Sequence, residues 1–442
     1  MAQLSTQPYK GARDFYPEDK RIQNYIFSTW RHVVESYGYE QYDAPLLEPL
    51  ELYAAKSGQE IVSEQTYQFV DRGGRTVAIR PEMTPTVSRM VAARRQELAY
   101  PARWYSIPNL WRYERPQKGR LREHWQLNVD MFGVETVDAD LELMLISYDI
   151  MKAFGANDKM FKIRVNSRRL INIMMAEYLE LDVVQSQLMI KLFDKKNKVT
   201  PEEFRDQALA IFDQEQAKTG LKKIAALIGA KTMGELPKEL LATSAVQDIQ
   251  ALFTLLRERG VTNAVFDITL MRGFDYYTDI VFEVFDTNPE NARSLFGGGR
   301  YDGLVSLFGV QPVPTVGFGM GDVTIKDFLE THNLMPKPES TTDVYMIVLG
   351  NALKGAQKLA RELREEGVKV AVDITGRKLD KQIKSAVKMK VPFMLFVGEQ
   401  ELQDEVFTLK DVAKSNEEKL GFGRIVTTIK DYRRRYVDDD DL

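Results

Sequence analysis

The hydrophobic pattern of this 442-residue chain changes period twice, and those two changes restrict its fold more than any single motif does. Between about residues 65 and 135 short apolar stretches alternate with turn residues. Tyr67–Val70, Val77–Arg80, Trp104–Trp111 and Leu127–Phe132 read as strands, with Gly73-Gly74 as a turn. From about 167 to 260 the chain is rich in Leu, Ile, Met, Lys and Glu at helical spacing. Thr200-Pro201-Glu202-Glu203 starts one of those helices as a capping box with proline in the first helical position. Strands return at Ala264–Leu270, Tyr276–Phe285 and Thr315–Met320. Further helices are expected at 18–37, where Ile22, Tyr25, Ile26, Trp30 and Val33 share a face, and at Asp138–Phe154, with a strand at Phe161–Val165. The pattern predicts a strand-rich domain in two parts, 1–166 and 261–334, around a mostly helical insertion at 167–260.

A third organisation begins beyond the proline-marked linker 335–342. Val344–Leu349, Ala352–Glu366, Val368–Ile374, Lys378–Met389 and Pro392–Val397 alternate between strand and helix, which predicts a separate α/β domain over 343–442 with a largely parallel sheet. Asp438–Asp441 reads as a solvated tail. There is no cysteine and there are only three histidines, which removes thiolate and histidine-rich metal centres from consideration. No apolar run is long enough to span a bilayer, and no signal peptide is recognisable, so a cytoplasmic location is expected. With a net charge of −4, any nucleic-acid partner must be met by local basic patches.

One such patch is Arg112-Tyr-Glu114-Arg115-Pro-Gln117-Lys118-Gly119-Arg120-Leu-Arg122-Glu123, a basic loop between two strands. Its guanidinium forks suit phosphate oxygens, although charged loops are often only solvated. Arg80-Pro81-Glu82-Met83-Thr84 offers a carboxylate and a hydroxyl, either to hold an ammonium group or to cap a helix. In Arg272-Gly273-Phe274-Asp275-Tyr276-Tyr277-Thr278 two adjacent tyrosines on a strand would point to opposite faces. Gly297-Gly298-Gly299-Arg300-Tyr301 permits close backbone approach to a ligand, or simply makes a turn.

Together these segments resemble the class II aminoacyl-tRNA synthetases, and within them the histidyl-tRNA synthetases. The basic hairpin is similar to the second motif of that class, and Tyr37–Pro49, with Pro45, to the first, which builds a dimer interface. Arg272–Tyr277 and Gly297–Leu304 resemble the two histidine-specific signatures. The resemblance implies an α+β catalytic domain built on an antiparallel sheet, a helical insertion, a C-terminal anticodon-binding-type domain and a homodimer. It implies activation of L-histidine by ATP with Mg²⁺, then transfer of the histidyl group to the 3′ end of tRNA(His).

By the same resemblance, Arg112 and Arg272 are catalytic and grip the α-phosphate from two sides, with Glu114 and His124 completing the ATP site. Glu82, Thr84, Gln126, Asp130, Tyr276, Tyr277 and Tyr301 are expected to hold histidine, and no protein-bound metal is expected. Lys118, Arg120 and Arg122 of the loop tip are assigned to tRNA. Arg377, Lys381, Lys384 and Lys388, spaced i, i+4, i+7 and i+11, would make a basic helix face for the same partner, beside an apolar flank of Leu379, Ile383, Ala386 and Val387. Three positions depart from the family pattern. His124 replaces an adenine-stacking phenylalanine, and Asp130 replaces a glutamate. Thr324 stands where the third motif carries an arginine facing adenine and the γ-phosphate, and Lys326 and Arg115 are the candidate replacements. The alternative function is a non-catalytic, synthetase-like regulatory subunit of histidine biosynthesis, a group that usually lacks the C-terminal domain.

Overall fold

The computed structural model describes residues 4–54, 64–196, 199–230, 232–271, 276–291, 293–337 and 340–436. Arg272, Gly273, Phe274, Asp275 and Asp438–Asp441 therefore lie outside the described residues. The chain forms two compact units, one of residues 1–15 with 26–335 and one of 16–25 with 336–442. Among the described residues no helix is long and apolar enough to cross a membrane.

The first unit is organised by a nine-stranded sheet. Its members are β1 (Glu40–Gln41), β5 (Ala102–Ser106), β6 (Asn109–Trp111), β7 (Glu123–Phe132), β8 (Phe161–Ser167), β9 (Ala264–Phe266), β10 (Ile280–Asp286), β11 (Ser294–Arg300) and β12 (Thr315–Gly321). The order is β1-β5-β7-β12-β11-β10-β8-β9, with β6 continuing β5 along the same edge of β7. A smaller sheet is formed by β2 (Leu47–Pro49), β3 (Gln68–Val70) and β4 (Thr76–Ile79).

The expected antiparallel sheet is in fact mixed. β1 pairs with β5, and β8 with β9, in parallel at the two outer edges, while the strands between them are antiparallel. A parallel pair needs a long crossover, and from β8 to β9 that crossover is the helical stretch Arg168 to Glu258. These helices share their own core of Leu170, Met189, Phe193, Leu227, Val246 and Ile249, so their apolar faces are buried against one another. The capping box at Thr200 is formed as expected, with Thr200 Oγ1 accepting the Glu203 N–H at 3.2 Å.

Two strands are shorter than their apolar runs. β9 ends at Phe266, not Leu270, because the Asp267 carboxylate accepts the Thr269 N–H at 2.9 Å and turns the chain. β10 starts at Ile280, so Tyr276 and Tyr277 precede it and strand alternation does not govern them.

In the second unit β13 (Val344–Val348), β14 (Val370–Val372) and β15 (Phe393–Val397) are parallel, as the alternation predicts. β16 (Val406–Asp411) and β17 (Asn416–Gly421) add an antiparallel hairpin on the β15 side, which corrects the expectation of a largely parallel sheet. The helix bearing the lysine stripe spans Leu379–Lys388. Arg377 lies before it and is tied down by Asp373 at 2.6 Å and Thr375 Oγ1 at 2.7 Å, so the stripe reduces to the exposed Lys381, Lys384 and Lys388. Of the proposed apolar flank, Ala386 is buried and Ile383 packs against it, but Leu379 and Val387 are exposed.

Candidate active site

Strand alternation along β7 places His124, Gln126, Asn128 and Asp130 in one row on one face of the sheet. The last three line a cavity of about 190 Å³ together with Glu82, Thr84, Arg112, Tyr276, Tyr277 and Tyr301. All seven residues expected to hold histidine are therefore assembled around one hollow, joined by Arg112. The glycines of β11 and β12 make the room. A Cβ on Gly317 would stand 2.2 Å from Asp130 Oδ1, and one on Gly319 would stand 2.6 Å from Gln126 Nε2. The side chains of β7 thus lie across a bare stretch of β12. The run Gly297–Gly299 is mid-strand, not a turn, and a Cβ on Gly298 would stand 2.1 Å from the Gly317 carbonyl.

The cavity is acidic and ringed by phenols. Glu82 is 2% exposed and accepts the Tyr276 hydroxyl at 3.3 Å, with Thr84 Oγ1 at 3.5 Å from the same hydroxyl. The residue capping the helix Thr84–Arg94 is Met83, without a side-chain cap, which leaves the Glu82 carboxylate and Thr84 hydroxyl to the pocket. Asp130 is fully buried and accepts the Tyr301 hydroxyl. Burial pushes its pKa up to about 7, against the opposing pull of that hydrogen bond. The three tyrosine rings meet edge to face, 5.0 to 6.5 Å apart. Desolvation raises all three phenols, so they stay protonated as donors. Tyr276 and Tyr277 both face the hollow, contrary to the expectation that one would turn away.

Arg112 closes the cavity on one side. Its backbone N–H donates to the Arg122 carbonyl at 2.8 Å, and its Nε donates to the Pro81 carbonyl at 2.8 Å. The terminal nitrogens of its guanidinium have no partner among the described residues and are available to an anion. Beyond Arg112, the β6–β7 hairpin ends in a tight turn in which Gln117 and Arg120 exchange backbone hydrogen bonds, with Gly119 at φ +74°.

Not every basic residue of the hairpin is open to a ligand. Arg122 lies back at its base, 3.9 Å over the Tyr113 ring, and donates to the Glu114 carbonyl and the Tyr9 hydroxyl. Arg120 Nε stands 3.0 Å from the nearly buried Glu114 carboxylate, which does not line the cavity. Lys118 and Arg115 are exposed.

Residues 11–323 match the family model described as histidyl-tRNA synthetase, and residues 343–432 match the anticodon binding domain. The histidine–tRNA ligase of Leptospira biflexa is 45% identical over 432 residues, covering 97% of this chain and 98% of that protein. The chain belongs to the histidyl-tRNA synthetase family. The histidine–tRNA ligase of Haloarcula marismortui is 38% identical, over 91% of this chain and 93% of that one. The histidyl-tRNA synthetase structure from Nostoc sp. PCC 7120 shares the fold, with a TM-score of 0.82 at 22% identity over 97% of this chain and all of that one. The chain accordingly has a class II synthetase-like catalytic domain and a C-terminal anticodon-binding domain.

Within that histidyl-tRNA synthetase framework, sequence reading missed Asn128 and Glu283, both in the cavity wall. Alternation in β7 would have found Asn128, which lies between Gln126 and Asp130 on the same face. Glu283 had no such marker, because its position follows from the pairing of β10 with β11 at Gly297. The third-motif position, Thr324, donates its hydroxyl to the carbonyls of Leu295 and Gly321. Lys326 lies 3.7 Å from Glu330 on its own helix.

Proposed function

We propose that this protein is a histidine–tRNA ligase: it activates L-histidine with MgATP to histidyl-adenylate and passes the histidyl group to the 3′ end of tRNA(His). The observation that carries this reading is the single hollow in which an acidic, phenol-lined pocket adjoins Arg112. The amino-acid side of the reaction needs carboxylates for an ammonium group and partners for an imidazole. Glu82, Thr84 and Gln126 supply polar groups for the ammonium and carboxylate, and Asp130, Tyr277 and Tyr301 supply partners for the ring. Glu82 accepts the Tyr276 hydroxyl and Asp130 the Tyr301 hydroxyl, and those two rings lie 5.6 Å apart, so the two carboxylates flank one hollow. Attack on the α-phosphate builds charge on its oxygens, and the open end of the Arg112 guanidinium meets that charge without reorganisation. Arg272 is assigned the opposite side of the phosphate, and Mg²⁺ enters with the nucleotide, bound to its phosphates.

The neutral face of His124 is offered to adenine. Glu114 supports ATP through Arg120, which it holds in place, and Arg122 supports the hairpin by stacking on Tyr113. Lys118, Lys381, Lys384 and Lys388 are offered to tRNA phosphates, and Arg120, held by Glu114, is not. Residues 167–260 are read as the helical insertion between the two catalytic parts 1–166 and 261–334, with 335–342 as linker, and the protein is placed in the cytoplasm. The matched anticodon-binding domain favours the ligase over the regulatory-subunit alternative. Histidine-dependent exchange of pyrophosphate into ATP tests the proposal, and no exchange by pure protein would overturn it.

Two further results are expected. The Asp130 carboxyl, at about 7, is largely protonated below that pH and an acceptor above it. If the carboxylate accepts a ring N–H of histidine, the KM for histidine falls as pH is raised from about 6 to about 8. In Asp130→Asn that fall should shrink to what the substrate's own imidazole causes, and an unaltered pH profile would show that Asp130 does not contact the ring. The second concerns assembly. The apolar side chains Leu47, Phe69 and Val70 of the small sheet, with Leu46 just before β2, are 44 to 64% exposed, as a self-complementary dimer face would leave them in one chain. Analytical ultracentrifugation should give twice the 50.7 kDa chain mass, and a monomer at micromolar concentration would exclude the dimer.

A further inference from the structure

The two edges of β7 differ around His124. On one edge Leu110 of β6 pairs opposite His124, and Arg112 follows two residues later. On the other edge β12 stops at Gly321, opposite Gln126. The next residue, Asp322, replaces the missing strand with its side chain: Oδ1 accepts the Trp125 N–H at 3.0 Å. Its Oδ2 accepts the Arg13 guanidinium at 2.8 Å, in a pair where Asp322 is 3% and Arg13 23% exposed.

Arg13 is not delivered there by chance contact. The Gly11 carbonyl accepts the N–H groups of both Arg122 and Glu123, at 2.9 and 3.2 Å. Gly11 itself has φ +87°, a conformation that glycine adopts readily, and a Cβ on it would meet Arg122 at 2.8 Å. Two residues beyond Arg13, Phe15 packs edge to face on Trp125 at 5.3 Å. The N-terminal segment is thus strapped along the second strand of the hairpin, with Arg13 held between two fixed points.

His124 consequently lies within reach of the charges of two guanidiniums, Arg112, which follows β6, and Arg13, which also lies 4.8 Å over the Phe15 ring. Burial first, then those two charges, lowers its pKa to about 3, so its ring is neutral at physiological pH. A neutral aromatic ring near two cations fits a ligand that is itself an aromatic ring carrying several negative charges. Arg13 Nε is buried without a hydrogen-bond partner among the described residues, and Asp322 takes only one of its other donors. Thr324 cannot supply a cation, and its hydroxyl is already bonded to two carbonyls.

We propose that Arg13 is a nucleotide-binding residue, which meets ATP from the β12 edge of the sheet while Arg112 meets it from the β6 edge. The role rests on the ligase reading above, and it places the cation absent from Thr324 on the N-terminal strap, with Asp322 as its positioning residue. The competing explanation is that the Arg13–Asp322 pair only fastens the strap.

Equilibrium dialysis of the full chain against MgATP separates these. Arg13→Ala is expected to weaken ATP binding about tenfold or more, the loss typical of a hydrogen bond to a charged group, while Arg13→Lys recovers part of it. The KM for histidine should stay within about twofold of the parent chain, since Arg13 is not in the histidine cavity. Arg13→Ala that binds ATP as tightly as the parent, with or without a lowered melting temperature, would overturn the proposal. So would an equal loss of ATP and histidine affinity, which would mark a strap whose removal disturbs the whole site. If the parent chain itself bound no ATP, the ligase reading would fall as well; ATP bound equally by parent and variant would remove only the role of Arg13.

Discussion

Arg112→Ala is expected to lower histidine-dependent pyrophosphate exchange by about 10²–10³-fold, the cost of removing one preorganised contact to a charge that develops in the transition state. The residue is placed for a large effect. Its Nε is fixed by the Pro81 carbonyl, and its side chain lines the same cavity as Glu82 and Asp130. Because the same group also bears on bound ATP, some loss of ATP affinity should accompany the fall in kcat, whereas histidine affinity should be little altered. Arg112→Lys should recover little, since an ammonium cannot hold the Pro81 carbonyl and span two phosphate oxygens together. The variant should keep its fold, because the hydrogen bond between the backbone N–H of residue 112 and the Arg122 carbonyl survives the substitution. Exchange within about threefold of the parent would remove Arg112 from the chemistry, on the magnitudes usual for such contacts.

The second large effect concerns stability. Arg300→Met is expected to cost about 3–5 kcal/mol, because it leaves a buried carboxylate without its partner. Arg300 and Asp140 lie 2.5 Å apart with side chains 6% and 2% exposed, and the same guanidinium donates to the carbonyls of Val134 and Thr136 at 3.0 Å. It therefore ties the end of β11 to the start of the helix Val137–Ala153 directly beside Tyr301. Pairing Arg300→Met with Asp140→Leu should lose less than Arg300→Met alone, since no charge is then stranded. Urea unfolding of both variants checks this. A cost below about 1 kcal/mol for Arg300→Met would mean that the pair behaves like a solvated surface contact.

The Arg300 result also shows what motif reading leaves out. In the sequence, Arg300 is one letter of a glycine-rich signature whose apparent purpose is a ligand. In the fold it serves the sheet, and the glycines before it let neighbouring strands approach while the bare stretch of β12 leaves room for Gln126 and Asp130. The hairpin divides in a similar way. Five cations within twelve residues read as one phosphate-binding patch, yet Arg122 stacks on Tyr113 and Arg120 is paired with Glu114, which leaves Arg112, Arg115 and Lys118 open to a ligand. The lysine stripe likewise lost Arg377, which Asp373 holds ahead of the helix.

The sequence by itself determined the order of elements, the helical stretch between two groups of strands, the separate C-terminal domain and most of the polar residues that line the cavity, though not Asn128 or Glu283. These are legible because periodicity, caps and turn residues act over a few neighbouring positions, and because the cavity residues belong to motifs that are local too. The tertiary structure alone decided which strands run parallel, which cations are open and that Arg13 is held by Asp322. Some of those outcomes join distant positions, such as Arg13 with Asp322, and others, such as Arg120 with Glu114, depend on how a turn folds back, so no local pattern in one segment announces its partner. A charge reads the same in a sequence whether it faces solvent, a ligand or a buried carboxylate, and only packing separates the three.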